Sequence, residues 1–480
     1  MGLIETLSYV VPELMLALGA MALLTFGVLQ GDRSTGTVSI ASMGLLIAAA
    51  LVVMAGYGGD TEIFDGAFRI DAFSGFCKIL IFGAAAIAIL MSDKYLAGEQ
   101  LGRFEYPILI LLASFGMALM VSANDLIALY MSVEMQSLAL YILAAFNRES
   151  RRSTEAGLKY FVLGALSSGL LLYGASLVYG FSGSTSFVEI ARVAAATEGA
   201  NVGLVVGLVF LVAGLAFKVS AAPFHMWTPD VYEGAPTPVT AFFAAAPKLA
   251  AMALFARALV SPFLDVHDQW QPVIAMIAVA SMAIGSFSAI VQSNIKRLMA
   301  YSSIGHMGFA LVGLAAGTKQ GVSAVLIYMA IYLVMTIGTF ACILLMRRRG
   351  GQTESLDDLS GLSESQPGLA ILFTVLFFSL AGVPPTGGFF GKLFVFNAAV
   401  QADLIWLAVV GVLLSAIAAY YYLRVIWIIW FNEAGSAFER EAGTRLGVIA
   451  TVSALIMMPI LLIGIAPLRA AADAAAGALF

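Results

Sequence analysis

The chain has little charge for its length. Only 11% of its 480 residues are Asp, Glu, Lys or Arg, whereas 61% are hydrophobic, and its mean hydropathy is +0.97. A water-soluble protein of this size needs more polar surface than this composition supplies, so an integral membrane protein is indicated. The formal net charge of −5 is small, and no basic run is interleaved with aromatic residues, so nucleic acid is not expected as a partner.

Sequences typical of metal and nucleotide binding are also lacking. Cys77 and Cys342 lie alone in separate apolar segments, which excludes a CxxC redox pair and a thiolate cage for iron–sulfur or zinc. The segment GGFFGK at 387–392 follows Thr386, where a phosphate loop needs glycine, and precedes Leu393, where it needs Ser or Thr. We therefore expect this chain itself to bind no metal, cluster or nucleotide.

Apolar runs long enough to cross a bilayer, about 20 residues each, dominate the rest of the sequence. They predict an all-α polytopic membrane protein with about fourteen transmembrane helices. The helices are expected near 10–29, 37–57, 70–91, 106–122, 124–146, 155–180, 202–222, 237–260, 272–292, 298–316, 322–346, 368–399, 403–431 and 445–467.

Basic residues are unevenly divided between alternate connections. One set holds Arg33, Lys94, Arg103, Arg148, Arg151, Arg152, Lys296, Arg297, Arg347, Arg348, Arg349, Arg440 and Arg445. The opposite set holds Arg69, Arg192, Arg257, Lys319 and Arg469. By the positive-inside rule the richer side is cytoplasmic, which leaves both termini on the periplasmic side.

Prolines interrupt two of the apolar runs. Prolines within 223–238 follow Lys218, and Pro384 and Pro385 precede Lys392. Lipid cannot satisfy the backbone groups that such breaks free, so the broken helices are expected to line a hydrated interior. Paired breaks, together with the helix count, favour two related halves of the kind found in transporters with inverted repeats.

Five ionisable side chains lie inside the apolar runs or at their edges. They are Glu134, Lys159, Lys218, Lys248 and Lys392. A lysine at the centre of a span costs roughly +2.5 to +3.5 kcal/mol on insertion scales, so several in one chain indicate partners, water or proton exchange. We predict that the last three lysines form a proton relay and that Glu134 forms an ion pair with a nearby lysine.

Other polar residues allow two interpretations. Lys159 can form a surface pair with Glu155 or take part in the relay. His225 and His306 can pass protons near neutral pH, although a lone histidine is more often only hydrogen-bonded. Glu13 and Lys78 are predicted to cap helices or to snorkel. Asp230 and Glu233, beside the proline cluster, can cap the broken helix or form a proton mouth.

Several segments together resemble a known family. They are EAGLKYFVLGALSSGLLLYG at 155–174, GLAFKVSAAPFHMWTPDVYEGAPTPVTAF at 214–242, SNIKRLMAYSSIGHMGF at 293–309 and AGVPPTGGFFGKLFVF at 381–396. Through nearly its whole length the chain resembles the antiporter-like membrane subunits of proton-pumping NADH:quinone oxidoreductase, respiratory complex I. The resemblance implies two inverted five-helix repeats, helices 4–8 and 9–13, with helices 7 and 12 broken.

The resemblance also implies roles for the buried charges. Glu134 matches the helix 5 glutamate that pairs with the helix 7 lysine, here Lys218. Lys248 matches the helix 8 lysine that connects two half-channels, and Lys392 stands at the helix 12 position that completes the path. Lys159 matches a helix 6 lysine of one member of the family. The lysine at 392 and the absence of a long lateral helix after the last span separate the chain from two sister subunits.

The implied assembly is a bacterial complex in the cytoplasmic (inner) membrane. FMN, iron–sulfur clusters, NADH and quinone would be bound by other subunits, and none of them by this chain. Partners would be the peripheral and membrane subunits, especially adjacent antiporter-like ones, with lipid and protons. The chain would form a single membrane domain with helices 1–3 in 1–105, a first repeat at 106–260, a second at 272–431 and a C-terminal helix in 445–480.

Two other functions share parts of this sequence pattern. One is a subunit of a multisubunit cation/proton antiporter, which has the same helical core. The other is a structural membrane subunit in which the buried charges only fix helix packing. Sequences around helices 6 and 12 favour the proton-translocating subunit of a redox enzyme.

Overall fold

The computed structural model describes residues 3–56, 59–196, 202–348, 351–436, 438–439, 443–458 and 461–480. Arg349 and Arg440, which contribute to the predicted charge asymmetry, lie outside the described residues. Helices make up most of the described chain, and its only sheets there are two hairpins of two strands each. The all-α class is confirmed.

The N-terminal region contains four helices and one hairpin. These are α1 Leu3–Tyr9, α2 Val11–Gln30, α3 Thr35–Gly56, β1 Thr61–Ile63, β2 Phe68–Ile70 and α4 Ala72–Gly98. Asp71 defines the start of α4, because its carboxylate accepts the backbone N–H of Ser74 at 2.8 Å while the Ser74 hydroxyl accepts the N–H of Asp71.

The middle of the chain contains eight helices. They are α5 Glu105–Ser122, α6 Leu126–Ala144, α7 Arg151–Ser182, α8 Phe187–Ala196, α9 Val202–Val219, α10 Trp227–Gly234, α11 Thr237–Ala244 and α12 Ala246–Phe263. The C-terminal half adds α13 His267–Ile290, α14 Ile295–Ala315, α15 Lys319–Leu344, β3 Arg347–Arg348, β4 Gly351–Gln352, α16 Leu362–Ser365, α17 Pro367–Ala381, α18 Gly387–Gln401, α19 Ile405–Phe431, α20 Thr444–Met457 and α21 Leu461–Gly477.

Ten stretches of the described chain are long and apolar enough to cross a membrane. Two of them, Val11–Gly56 and Thr237–Ile290, each contain more than one helix, and Pro367–Ala381 and Thr444–Met457 are shorter apolar helices. A polytopic membrane protein is therefore confirmed, whereas the count of fourteen crossings stays a prediction.

Both predicted breaks are present. Helix α9 ends at Val219, and Ser220 has a positive φ of 63°, which an α-helix cannot accommodate. Helix α17 ends at Ala381, where Gly382 with φ 85° forms the left-handed cap, and α18 begins at Gly387. A third irregularity, at Ala245 between α11 and α12, has φ −106° and ψ −96° and precedes Pro247. It was not predicted from the sequence.

A matching pair of bridges relates the two halves of the chain. Asp125 caps α6 and pairs with Ser186, while Asn294 caps α14 and pairs with Ser355. Each bridge is flanked by the same two backbone hydrogen bonds. In one equivalent pair of them, the Leu126 N–H donates to the Thr185 carbonyl and the Ile295 N–H donates to the Glu354 carbonyl. Since consecutive crossings alternate in direction, the two bridges lie at opposite ends of the bundle, as an inverted repeat requires.

Ion pairs join the connections at one end of the bundle, which we call the basic end. Arg103 contacts Asp32 at 2.6 Å, Arg347 contacts Glu99 at 3.5 Å and Arg445 contacts Asp93 at 3.2 Å. Connections of the opposite end, which we call the far end, also contact each other, as Phe68 does with Ala123. The two sets of connections therefore lie at opposite ends of the bundle, as the division of the sequence into alternate connections predicts.

Two buried ion pairs lie outside the predicted relay. Lys78 and Glu13 form a 2.5 Å pair between α4 and α2, with side chains 0% and 5% exposed. The prediction that these two residues cap or snorkel was wrong, because the packing of α2 against its neighbours closes off both side chains and leaves each as the other's counter-charge. Arg257 on α12 contacts Asp71 at 2.8 Å, and this pair was not predicted.

Candidate functional site

Lys218 occupies the last turn of α9, directly before the first break. Its Nζ donates to Ser137 Oγ on α6 at 2.7 Å and lies 6.0 Å from the centre of the Tyr141 ring. Glu134, one turn before Ser137, accepts a short hydrogen bond from the Ser168 hydroxyl on α7. The Lys218 ammonium therefore contacts α6 one turn away from Glu134, whereas the Glu134 carboxylate contacts α7.

The predicted direct ion pair between Glu134 and Lys218 is not formed. Among the described side chains, no carboxylate oxygen lies within 4.0 Å of the Lys218 ammonium. The ammonium instead reaches the hydroxyl of Ser137, three residues along α6, while Ser168 satisfies the carboxylate. Two serines therefore occupy the contacts that a direct pair would use.

Lys248 lies 1% exposed in the first turn of α12, just after the irregularity at Ala245. Its Nζ donates to the carbonyl of Val219 at 3.2 Å and, by a short hydrogen bond, to Ser220 Oγ. Thr228 also donates to Ser220 Oγ, at 2.6 Å. Since Val219 and Ser220 directly follow Lys218, the break after α9 places the Lys248 ammonium against the two residues next to Lys218.

Lys392 is 5% exposed and occupies the second turn of α18, beyond the second break. Its Nζ donates to the Ala381 carbonyl at the end of α17, at 2.7 Å, and to Ser415 Oγ on α19, at 2.9 Å. The Phe309 ring centre lies 4.7 Å away. The carbonyl is available because α17 stops at Ala381 and leaves it without a helical partner.

His306 belongs to a buried hydroxyl cluster on α14, α15 and α19. Its ring nitrogens contact Tyr328 Oη at 2.6 Å and Tyr422 Oη at 3.1 Å, and Ser302 Oγ lies 2.5 Å from the same Tyr422 hydroxyl. His306 and Lys392 border one narrow cavity. The tyrosines were not predicted, although each stands out as a polar group within an apolar span.

His225 lies in the turn between α9 and α10 and is partly buried. Its Nδ1 has no hydrogen-bond partner among the described residues. No contact joins it to the three lysines in this part of the structure. Of the two histidines, only His306 lies beside a relay lysine.

Lys159 lies at the basic end, away from the three relay lysines. Its side chain is 41% exposed and contacts Glu155 at 2.9 Å and Asp230 at 2.8 Å. A pocket of about 130 Å³ opens beside these groups and Glu233. The predicted surface pair with Glu155 is present, and the structure does not bring Lys159 together with the buried lysines.

The same end carries a wider ionic network. Arg297 contacts Asp230 at 2.8 Å and Glu233 at 2.9 Å, and Lys296 contacts Glu354 at 2.9 Å. Burial acts to raise the pKa of the Glu354 carboxyl, but the Lys296 ammonium and neighbouring donors outweigh it, so this pKa lies below its ordinary value of 4.5. The network links the connections of both halves of the chain.

The three lysines of the predicted relay, Lys218, Lys248 and Lys392, share one chemical arrangement. Each ammonium is held by hydroxyl or carbonyl oxygens of neutral groups at an interrupted helix. A lysine that loses a proton to become an amine keeps two donors and gains a lone pair, so hydroxyl partners can serve both states. Within the described residues no three His, Cys, Asp or Glu side chains gather as metal ligands.

Comparison with known sequences gives a consistent family. A family model described as NADH:quinone oxidoreductase/Mrp antiporter, TM, matches residues 123–418. The chain is 57% identical over 479 residues to NADH-quinone oxidoreductase subunit N 1 of Rhizobium meliloti, covering 100% of this chain and 99% of that one. It is 53% identical to subunit N of Paramagnetospirillum magneticum, again over 100% and 99% of the two chains.

Solved structures agree with the sequence relatives. A chain of respiratory complex I from Thermus thermophilus superposes with a TM-score of 0.80 and 30% identity, covering 94% of this chain and 98% of that one. A chain of the Mrp complex from Dietzia gives a TM-score of 0.84 over 98% and 97% of the two chains. At 23% identity the second likeness shows a shared fold alone.

Proposed function

The chain belongs to the family of membrane subunits shared by NADH:quinone oxidoreductases and Mrp antiporters, and we propose that it translocates protons within a bacterial NADH:quinone oxidoreductase. In that complex it takes the position that subunit N takes in its relatives, beside other membrane and peripheral subunits. Electron transfer from NADH to quinone on those other subunits supplies the energy. FMN and the iron–sulfur clusters also belong to them.

The path that we propose runs along the interior of the bundle. A change in the Glu134 environment alters the contacts of Lys218, whose proton passes by way of the Ser220 hydroxyl to Lys248 and then to Lys392. His306, which borders the Lys392 cavity, assists the transfer of the proton away from Lys392. Lys159 acts at the basic end, where it holds Asp230 beside the break. His225 is retained as a secondary candidate.

One observation carries this proposal. Lys218, Lys248 and Lys392 each lie at a helix interruption and bind only neutral oxygens among the described residues. A lysine that only stabilised packing would be expected beside a carboxylate, as Lys78 is. The neutral partners favour a group that gains and loses a proton.

The two halves of the chain fit the proposed domain organisation. We assign helices 1–3 to 1–105, the first repeat to 106–260, the second to 272–431 and the C-terminal helix to 445–480, on the support of the matching bridges at Asp125 and Asn294. The basic end is assigned to the cytoplasm, which leaves both termini in the periplasm.

The test uses the intact complex that contains this chain, reconstituted in proteoliposomes. Lys218→Ala and Lys248→Ala complexes are compared with wild type for NADH-driven quinone reduction and for proton uptake. Loss of a relay group is expected to slow both by about tenfold or more, because positioned proton carriers typically contribute 10²–10⁴-fold. Each complex is first checked for full subunit content.

Lys94→Ala provides the control, since Lys94 is an exposed lysine at the basic end of α4. It should retain wild-type turnover and pumping. If the assembled Lys218→Ala and Lys248→Ala complexes also turn over and pump like wild type, the lysines only support packing and the proposal is wrong. Cation exchange without redox activity in the wild-type complex would favour the antiporter function instead.

A further inference from the structure

We propose that Asp473, on the last helix, is the group that releases protons from this chain at the far end, after transfer from Lys392 through His306 and Tyr328. This inference rests on the proposed proton path and adds its outlet. It involves only proton transfer: the Asp473 carboxylate accepts a proton from the interior and gives it to water.

A polar pocket of about 70 Å³ lies at the far end between α15, α18 and α21. Its lining includes Ser323 and Ala324 of α15, Phe394 and Asn397 of α18, and Asp473 of α21. Hydroxyl, amide and carboxylate groups thus converge where three helices meet. Such a lining can hold water, which needs several polar partners.

The pocket and the Lys392 cavity share one helix, because α18 carries Lys392 in the cavity and Phe394 and Asn397 in the pocket. Tyr328 packs its ring against Gly391, the residue before Lys392, and binds His306 at 2.6 Å. Ala324 is one turn from Tyr328 on the same face of α15, and it lines the pocket. Ser323 lies five residues before Tyr328, about 7.5 Å along the axis of α15, and the proposed path crosses this interval by water.

Asp473 is held in place for exchange with water. Ser323, only 3% exposed, donates to Asp473 Oδ1 at 2.5 Å, so the carboxylate faces the buried side of the pocket. Its side chain is nevertheless 48% exposed, with Arg469 Nε 3.6 Å from the other oxygen. One carboxylate therefore contacts both the interior hydroxyl and the aqueous surface. Lys319 lies nearby, against Gly477.

The test compares Asp473→Asn with wild type in the reconstituted complex. We expect turnover and proton uptake to fall by about three- to tenfold, less than for a relay lysine because water in the pocket still offers a slower route. The solvent isotope effect in D₂O should rise, since proton release becomes rate-limiting. Asp473→Glu should restore both quantities. If Asp473 had only a structural role, Asp473→Asn would leave the isotope effect unchanged and Asp473→Glu would not restore the rates.

Asp403→Asn is the matched control, because Asp403 is exposed at the same end and outside the pocket, and its φ of 60° suits asparagine. It should behave like wild type. Ser323→Ala, which removes the donor to Asp473, should give a smaller change in the same direction. Wild-type rates and isotope effects in both Asp473→Asn and Ser323→Ala would overturn this inference. If the relay lysine variants are still impaired in that case, the proposed proton path stands without this outlet.

Discussion

Lysines inside this chain fall into two groups at the residue scale. Lys78 and Lys296 contact carboxylates at 2.5 Å and 2.9 Å, and each pair joins different helices or connections. Lys218, Lys248 and Lys392 contact hydroxyl and carbonyl oxygens. The first arrangement fixes a charge, and under the proposed function the second lets a proton leave, so the chemistry of the partners separates the two groups of lysines.

Glu354→Gln should destabilise the chain by about 1.5–3 kcal/mol, because it replaces a charge-assisted hydrogen bond to buried Lys296. The pKa of the Glu354 carboxyl is depressed below 4.5, so its stabilisation is fully present above that pH and is lost as pH falls through the folded value. Thermal unfolding should therefore show the same loss at about pH 6 and about pH 8. Glu364→Gln, at an exposed position, is the control. If the destabilisation caused by Glu354→Gln appeared at only one of those two pH values, it would contradict the lowered pKa assigned to Glu354.

The Asp71–Arg257 pair provides a second prediction. Both side chains are at most 1% exposed, so Arg257→Met leaves a buried carboxylate and should cost about 3–5 kcal/mol. Adding Asp71→Asn should recover at least about 1 kcal/mol of it in a double-mutant cycle, measured by unfolding in detergent. Arg192→Met, in an exposed pair with Glu189, should cost less than about 1 kcal/mol. Strict additivity of the two buried substitutions would show that the pair is not coupled.

At the scale of helices, the sequence predicted where two spans are interrupted but not what the interruptions contact. Prolines and glycines act locally, so their effect on α9 and α17 is readable from the chain. Which oxygen meets each lysine depends on helices far away in sequence, such as α6 for Lys218 and α19 for Lys392. The expected ion pair of Glu134 was wrong for this reason, because the partner of its carboxylate is Ser168 on another helix, α7.

Gly388 permits the close approach of α17 and α18 at the second break. A Cβ there would collide with the Ser379 carbonyl oxygen, a rigid backbone atom. Gly388→Ala should therefore destabilise the break by about 1–3 kcal/mol and displace Lys392, lowering both the unfolding temperature and turnover. Gly368→Ala in α17 is the matched control, since no atom lies within 4 Å of its added Cβ. Equal behaviour of the two variants would show that the break tolerates expansion.

At the scale of the whole molecule, the distribution of basic residues and the inverted repeat indicate the same organisation of the helices. The alternation of basic connections predicted two chemically different ends, and the ion pairs of Arg103, Arg347 and Arg445 gather at one of them. The inverted relation between the two halves of the chain was predicted from the number of helices and from the two broken helices. Its clearest structural sign, the paired bridges at Asp125 and Asn294, involves backbone hydrogen bonds that carry no sequence signature.

The orientation of the chain in the membrane gives the last prediction. The basic end should face the cytoplasm, since basic connections resist transfer across the membrane. Arg151 is exposed at the basic end and Asp268 is 99% exposed at the far end, while Cys77 and Cys342 are both buried and should react little. An impermeant thiol reagent should therefore label Asp268→Cys in right-side-out vesicles and Arg151→Cys in inverted ones. Both variants should react in detergent. The opposite pattern would place the Asp473 outlet on the cytoplasmic side, so that protons would enter the chain where we propose that they leave.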